Sequence, residues 1–75
     1  MLAYVLLTLH EAKEREVRDS LRELKEVKES HILFGEWDVI AKIEVENADA
    51  LGTFVMENIR PIQGVNVTST LIVAQ

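Results

Sequence analysis

The sequence predicts an α+β fold in which two helices cover one face of an antiparallel sheet of four strands. Three observations carry this prediction. Apolar runs of strand length begin and end the chain, two segments with helical spacing of their apolar residues lie between these runs, and a turn-forming segment divides the chain near its middle. Each half therefore has the order strand, helix, strand.

The first half begins with residues 2–9, a continuous apolar run that is too short for a buried helix and is typical of a strand covered on both faces. Residues 11–24 carry apolar side chains at helical spacing, which predicts an amphipathic helix. Acidic residues precede basic ones by four positions at Glu11/Arg15 and Glu14/Arg18. Residues 27–34 form a more polar strand, which suits the edge of a sheet.

The second half follows a turn at residues 35–38 and opens with residues 38–46, where apolar and polar side chains alternate as in a strand. Asn47 predicts the N-cap of a second helix, and Pro61 predicts its end. Gly52 lies inside this helix at a cost of about 1 kcal/mol relative to alanine. We interpret that glycine as a place where the helix backbone closely approaches the sheet.

Residues 65–74 complete the set as the last strand, so the whole order is βαββαβ. Right-handed crossovers interleave two such halves, and the sheet order becomes 4-1-3-2 with both helices on one face. This is the ferredoxin-like fold.

Composition excludes several classes of function. The chain has 75 residues, which is one small domain, and it has no cysteine, so disulfides and thiolate metal sites are excluded. With two histidines and a net charge of −5, we expect no metal site, no cofactor and no direct contact with nucleic acid. No apolar run is long enough to span a membrane, and no signal peptide is visible, so we expect a cytoplasmic protein without a membrane partner.

One face of the predicted sheet lacks a helical cover. Strand one is apolar on both faces, so a monomer would expose Leu2, Tyr4 and Leu6 along the middle of the open face. Ile40 and Ile72 extend this apolar patch in our interpretation. Such contiguous apolar surface marks an interface. We predict a dimer in which two sheets pack face to face about a two-fold axis, and the predicted interface contains Leu2, Tyr4, Leu6 and Ile72.

Candidates for catalysis are few. His10 and His31 each stand alone at the end or rim of an element, without a nucleophile placed by a motif, so a structural or solvated role is favoured for both. Trp37, the only tryptophan, lies in the central turn, where it either plugs the end of the core or contacts a ligand or a subunit. A small cofactor-free monooxygenase-like dimeric enzyme on the same fold stays open as an alternative.

Three short motifs resemble one family. Residues 35–38 read Gly-Glu-Trp-Asp, residues 61–65 read Pro-Ile-Gln-Gly-Val, and residues 68–70 read Thr-Ser-Thr. They resemble, in order, the Gly-x-aromatic-Asp turn, the Pro-x-x-Gly-Val entry into the last strand and the Thr-x-Thr of the ligand-binding domain of Lrp/AsnC-type transcription regulators. This is the RAM domain, named for regulation of amino acid metabolism, and the resemblance covers the whole chain.

The resemblance implies dimers that associate through their sheets, higher rings of dimers, and amino acid effectors bound where dimers meet. The ligand-binding positions that it implies are Gly35, Trp37, Asp38, Thr68 and Thr70. The family's helix-turn-helix DNA-binding domain has no counterpart in residues 1–75, so the resemblance is to a stand-alone RAM module, and DNA binding is not carried over.

The chemistry of these residues suits a free amino acid, which carries an ammonium and a carboxylate. Asp38 is able to accept a charge-assisted hydrogen bond from the ammonium, while turn amides and the Thr68 or Thr70 hydroxyls serve the carboxylate. We therefore expect a non-enzymatic, oligomeric, amino-acid-binding regulatory module. Besides the enzyme, a second alternative is a pure assembly module that joins full-length Lrp/AsnC regulators in mixed oligomers.

Overall fold

The computed structural model describes residues 1–75, and its elements follow the predicted order. They are β1 (Leu2–Leu9), α1 (Glu14–Arg22), β2 (Val27–Ile32), β3 (Val39–Glu44), α2 (Ala48–Phe54) and β4 (Val65–Ile72), with a π-helical turn at Val55–Ile59 that continues α2. The strands form one antiparallel sheet in the order β2-β3-β1-β4. The predicted ferredoxin-like fold and its strand order are confirmed.

The core lies between the sheet and the two helices. Alternate residues of the central strands face it and are fully buried, such as Val5 and Leu7 on β1 and Ile43 on β3. Helix α1 packs over β2 and β3 and buries Val17 and Leu21 there. Full burial of each such side chain stabilises the fold by about 1.5–3 kcal/mol. The whole cluster comprises Ala3, Val5, Leu7, Val17, Leu21, Val27, Val39, Ala41, Ile43, Leu51, Phe54, Val55 and Ile59.

Helix α1 is shorter than the predicted span of residues 11–24. Its N-cap residue, Lys13, makes no side-chain capping bond, and the Lys13 N–H donates to the Glu11 carbonyl in a turn that precedes the helix. The predicted pair of Glu11 with Arg15 is therefore wrong, because Glu11 is not helical. Lys13 pairs with Glu11 at 3.6 Å and Arg18 pairs with Asp19 at 3.2 Å instead. Exposed pairs of this kind contribute little to stability.

The strands are also shorter than predicted at their outer ends. β2 ends at Ile32 and not at residue 34, β3 covers Val39–Glu44 and not residues 38–46, and β4 ends at Ile72 and not at residue 74. The last strand stops where its partner does, because Val73 N–H bonds to the carbonyl of Leu2, the first residue of β1.

Both ends of the second helix follow the sequence signals. The Asn47 side chain accepts a hydrogen bond of 2.8 Å from the Ala50 N–H, which confirms the predicted N-cap. At the other end, Arg60 N–H donates to the Val55 carbonyl across the wider π-helical turn. Pro61 follows and has no N–H to continue the ladder. This arrangement places one continuous helical face opposite strand β4.

Candidate functional site

The open face of the sheet carries a band of apolar side chains. Leu2, Tyr4 and Leu6 alternate along β1 with core residues and are half-buried in the single chain. The register places Leu6 opposite Ile40 of β3 and places Tyr4 opposite Leu71 of β4. The predicted positions on β1 and Ile40 therefore share one face, whereas their role as a dimer interface stays a prediction.

The predicted placement of Ile72 on this face is wrong. Ile72 lies opposite Ala3, whose side chain points into the core, so Ile72 lies on the helix side of the sheet. Side chains alternate strictly along a strand, and a register change of one residue exchanges the faces. The residue of β4 on the open face is Leu71, which is 52 % exposed, whereas Ile72 is 51 % exposed on the opposite side.

A polar network borders the apolar band where β2 pairs with β3. Glu29 and His31 flank the buried Ser30, so they share the open face. His31 Nε2 lies 3.2 Å from Glu29 Oε1, and Lys42 Nζ donates to Glu29 Oε2 at 3.2 Å. The hydrogen bond from His31, followed by that from Lys42, lowers the pKa of the Glu29 carboxyl below its usual range. His31 is therefore occupied in an exposed surface network.

This network makes the titration of Glu29 sensitive to His31. We expect His31→Ala to raise the pKa of Glu29 toward its ordinary value of 4.5, because the substitution removes the largest cause of the lowered pKa. A carboxyl whose pKa is lowered by folding stabilises the fold above its unfolded pKa, and this contribution is lost as the pH falls through the folded pKa. NMR titration of the Glu29 side-chain carboxyl carbon measures the change, and His10→Ala is the matched control. An unchanged midpoint in His31→Ala would show that the contact does not persist in solution.

The turn between β2 and β3 is held rigidly by Asp38. Its backbone N–H donates to the Leu7 carbonyl at 2.9 Å, its carbonyl accepts from Leu33 N–H at 2.9 Å, and its Oδ2 accepts from Leu9 N–H at 2.8 Å. Gly35 adopts a φ of 139°, a conformation that side chains of L-residues rarely allow. Asp38 is thus a turn former, and its other carboxylate oxygen makes no hydrogen bond within the chain.

Phe34 is the exposed apolar residue of this turn. Its side chain is fully exposed, whereas Trp37 is half-buried. From the sequence, Phe34 was predicted to end β2, with no function. A large apolar residue directly before a turn glycine was the signal that could have identified it. A large apolar side chain in a connecting segment is available for a contact with a second chain.

A groove of about 380 Å³ runs between the helical segment of residues 48–60 and strand β4. It is the largest of three clefts in the chain, the others measuring about 290 and 210 Å³. Thr68 and Thr70 line it, as does Ile72, because all three point to the helix side of β4. The full lining is Ala48, Leu51, Gly52, Val55, Met56, Arg60, Thr68, Thr70 and Ile72.

The structure thus divides the predicted ligand-binding residues between two places. Thr68 and Thr70 lie in the groove, whereas Gly35, Trp37 and Asp38 lie in the turn and line none of the three clefts. The groove contains one charged side chain, a cation, and no acid. The turn contains the carboxylates of Glu36 and Asp38 and lines no cleft. No single cleft of the chain therefore contains both sets of residues.

Several residues of the groove were missed or misread from the sequence. Ala48, Gly52, Met56 and Arg60 recur at a spacing of four and form one stripe on the helix. The predicted close approach of Gly52 to the sheet is wrong, since a Cβ built there meets no atom within 4 Å and the residue is exposed. The spacing of four, which ends in an arginine, was the available signal for the stripe.

No three histidine, aspartate or glutamate side chains come together in a way that could hold a metal ion. No helix of the chain is long and apolar enough to cross a membrane.

Comparison with known proteins agrees with the motifs. The sequence profile of the Lrp/AsnC ligand binding domain matches residues 2–75. The HTH-type transcriptional regulator FL11 of Pyrococcus abyssi is 34 % identical over 73 residues, which are 97 % of this chain and 48 % of that protein. The chain spans 39–48 % of the length of the curated relatives that it matches. These relatives are named as transcriptional regulators.

Solved structures show the same architecture. The crystal structure of FFRP-DM1 superposes with a TM-score of 0.90 at 38 % identity and covers 96 % of each chain. A transcriptional regulator from Neisseria meningitidis, crystallised in complex with L-Met, superposes with a TM-score of 0.88 at 25 % identity, covering 99 % of this chain and 49 % of that one. With its motifs, its fold and the profile match over residues 2–75 in agreement, the chain belongs to the Lrp/AsnC ligand-binding domain family.

Proposed function

We propose that this domain binds a free amino acid where two of its dimers meet, and that binding regulates assembly with itself or with full-length Lrp/AsnC regulators. The observation that carries the proposal is the complementary composition of the two candidate sites. The groove offers the Arg60 guanidinium and two threonine hydroxyls, and the turn offers the Asp38 carboxylate. Neither place alone matches both charged ends of an amino acid.

Each end of the ligand has a suitable partner in this arrangement. Arg60 is able to bind the carboxylate with two parallel hydrogen bonds, and the Thr68 and Thr70 hydroxyls add donors beside it. Asp38 from the neighbouring dimer accepts from the ammonium through the oxygen that Leu9 does not use. The L-Met complex of the Neisseria regulator supports an amino acid as the class of ligand.

The assembly follows from two different surfaces. The open face is self-complementary about a two-fold axis and builds the dimer, whereas a turn placed into a groove is a head-to-tail contact that closes into a ring of dimers. Phe34 extends from the turn as an exposed apolar side chain that contacts the neighbouring dimer beside the groove. The ligand and the apolar contact therefore stabilise the same junction.

A thermal-shift screen of the twenty amino acids tests the proposal. A ligand that binds only the folded assembly stabilises it by about 2.7 kcal/mol at a hundredfold excess over the dissociation constant. Two matched compounds dissect the recognition of each active amino acid: its amide lacks the carboxylate, and its deaminated analogue lacks the ammonium. We expect both to shift the melt less than the amino acid itself. If no amino acid shifts the melt at millimolar concentration, the pure assembly module replaces this proposal.

The turn residue Phe34 gives a separate test of the ring. We expect Phe34→Ser to reduce the assembly to dimers, because it removes the apolar contact between dimers, while the melting of the dimer itself hardly changes, since surface substitutions stay within about 0.5 kcal/mol. Light scattering across a concentration series measures the assembly, and Phe34→Leu is the control that keeps an apolar side chain. Rings that survive Phe34→Ser would place the junction elsewhere.

A further inference from the structure

Gly52 is an unfavourable residue at its position, and the fold does not require it. Glycine in the middle of a helix is the least favourable residue apart from proline. Its φ is not positive, and a Cβ added there meets no atom within 4 Å, so the single chain has room for a side chain. The absence of a side chain therefore serves neither the backbone conformation nor the packing of the core.

Gly52 lies at the opposite end of the groove from Arg60. The helix turn before Pro61 leads directly into β4, so Arg60 lies near the Thr68 end of the groove, whereas Ala48 and Gly52 lie toward the Ile72 end. With a rise of 1.5 Å per residue, Gly52 is roughly 12 Å from Arg60 along the helix axis. A ligand that is held by its carboxylate at Arg60 and lies along the groove directs its side chain toward Gly52.

The wall around Gly52 is apolar. Leu51, Val55 and Met56 come from the helical side and Ile72 from the strand side, and no acidic or second basic residue lines the groove. A charged ligand side chain at that end would lose its hydration without gaining a partner. The volume of about 380 Å³ lies near the lower end of the roughly 300–1,000 Å³ typical of ligand pockets, which suits one small molecule.

We infer that Gly52 is a specificity-determining residue that leaves room for the side chain of the bound amino acid, and that the site selects amino acids with medium-sized apolar side chains, of the leucine and methionine type. This inference rests on the proposed function, because it assigns the side-chain end of the same site. The bare backbone at Gly52 forms part of the surface that the ligand side chain contacts. An added methyl group is harmless in the empty groove and clashes only when the groove is filled.

The substitution Gly52→Ala separates the two roles, because it acts on stability and on binding in opposite directions. Without ligand, we expect the melting temperature to rise by about 4–8 °C, because alanine favours the helix. With ligand, we expect the affinity for leucine or methionine to fall by about five- to a hundredfold, the range expected when an extra methyl is forced into a packed contact. Thr53→Ala is the matched control, since Thr53 is exposed on the same helix and does not line the groove. It should leave the affinity unchanged.

Calorimetry with leucine, methionine, lysine and aspartate on the wild-type chain and both variants gives distinguishable outcomes. The inference holds if leucine or methionine binds the wild-type chain at least about tenfold more tightly than lysine and aspartate, and if Gly52→Ala alone reduces this affinity. It is overturned, while the proposed function stands, if lysine or aspartate binds most tightly or if Gly52→Ala binds as the wild-type chain does. If a screen finds no amino acid that binds the wild-type chain, the proposed function and this inference both fall.

Discussion

Leu6→Asp is expected to dissociate the dimer into monomers of 8.5 kDa. Leu6 lies on the central strand in the middle of the open face, opposite Ile40. A two-fold axis would bring two new carboxylates into one interface, and each unpaired buried charge costs about 3–5 kcal/mol. We therefore expect the dissociation constant of the dimer to rise by at least about a thousandfold. Analytical ultracentrifugation across micromolar concentrations measures this change.

Substitutions at two adjacent residues of β4 test which face of the sheet forms the proposed dimer. Leu71 and Ile72 are equally exposed, at 52 % and 51 %, but they lie on opposite faces of the sheet. Leu71→Asp should weaken the dimer, whereas Ile72→Asp should leave it intact and reduce ligand binding in the groove. If Ile72→Asp dissociates the dimer and Leu71→Asp does not, the helix side of β4, and not the open face, forms the interface.

Asp38→Asn is expected to lower the affinity for the amino acid by about ten- to over a hundredfold while the dimer persists. Loss of a charged hydrogen bond to the ammonium costs roughly 1.5–3 kcal/mol. Asparagine keeps an oxygen that accepts from the Leu9 N–H, which Asp38 binds at 2.8 Å, so the turn retains its geometry. Calorimetry with the most active amino acid of the thermal-shift screen measures the affinity.

Two other substitutions separate the charge of Asp38 from its role in the turn. Asp38→Ala also removes the acceptor of the Leu9 N–H, so it should cost a further 1–3 kcal/mol or so of folding stability, which Asp38→Asn does not. Glu36→Gln removes a charge from an exposed position of the same turn and should leave the affinity unchanged. Equal affinity of Asp38→Asn and the wild-type chain would assign the ammonium to a different partner.

The sequence by itself determined the fold because each signal was local and each agreed with the others. The alternation along β3 predicts a strand with one face in the core, and the apolar run of β1 predicts a strand whose second face is also covered. The Asn47 side chain caps the start of the second helix, and the ring of Pro61 ends it. Both effects act within a few residues, so neither depends on the rest of the chain. The short motifs at residues 35–38, 61–65 and 68–70 were sufficient to indicate the family.

The tertiary structure alone decided which residues share a surface. Residues 71–73 are all apolar, so no polar alternation on β4 shows its register, and only the pairing with β1 places Leu71 on the open face and Ile72 in the groove. The groove likewise arises between a helix and an edge strand, which makes Gly52 part of its wall and not a contact with the sheet. The relation of the turn to Thr68 is set by the sheet in the same way, because Val39 and Thr68 pair with Leu7 of β1 from opposite sides.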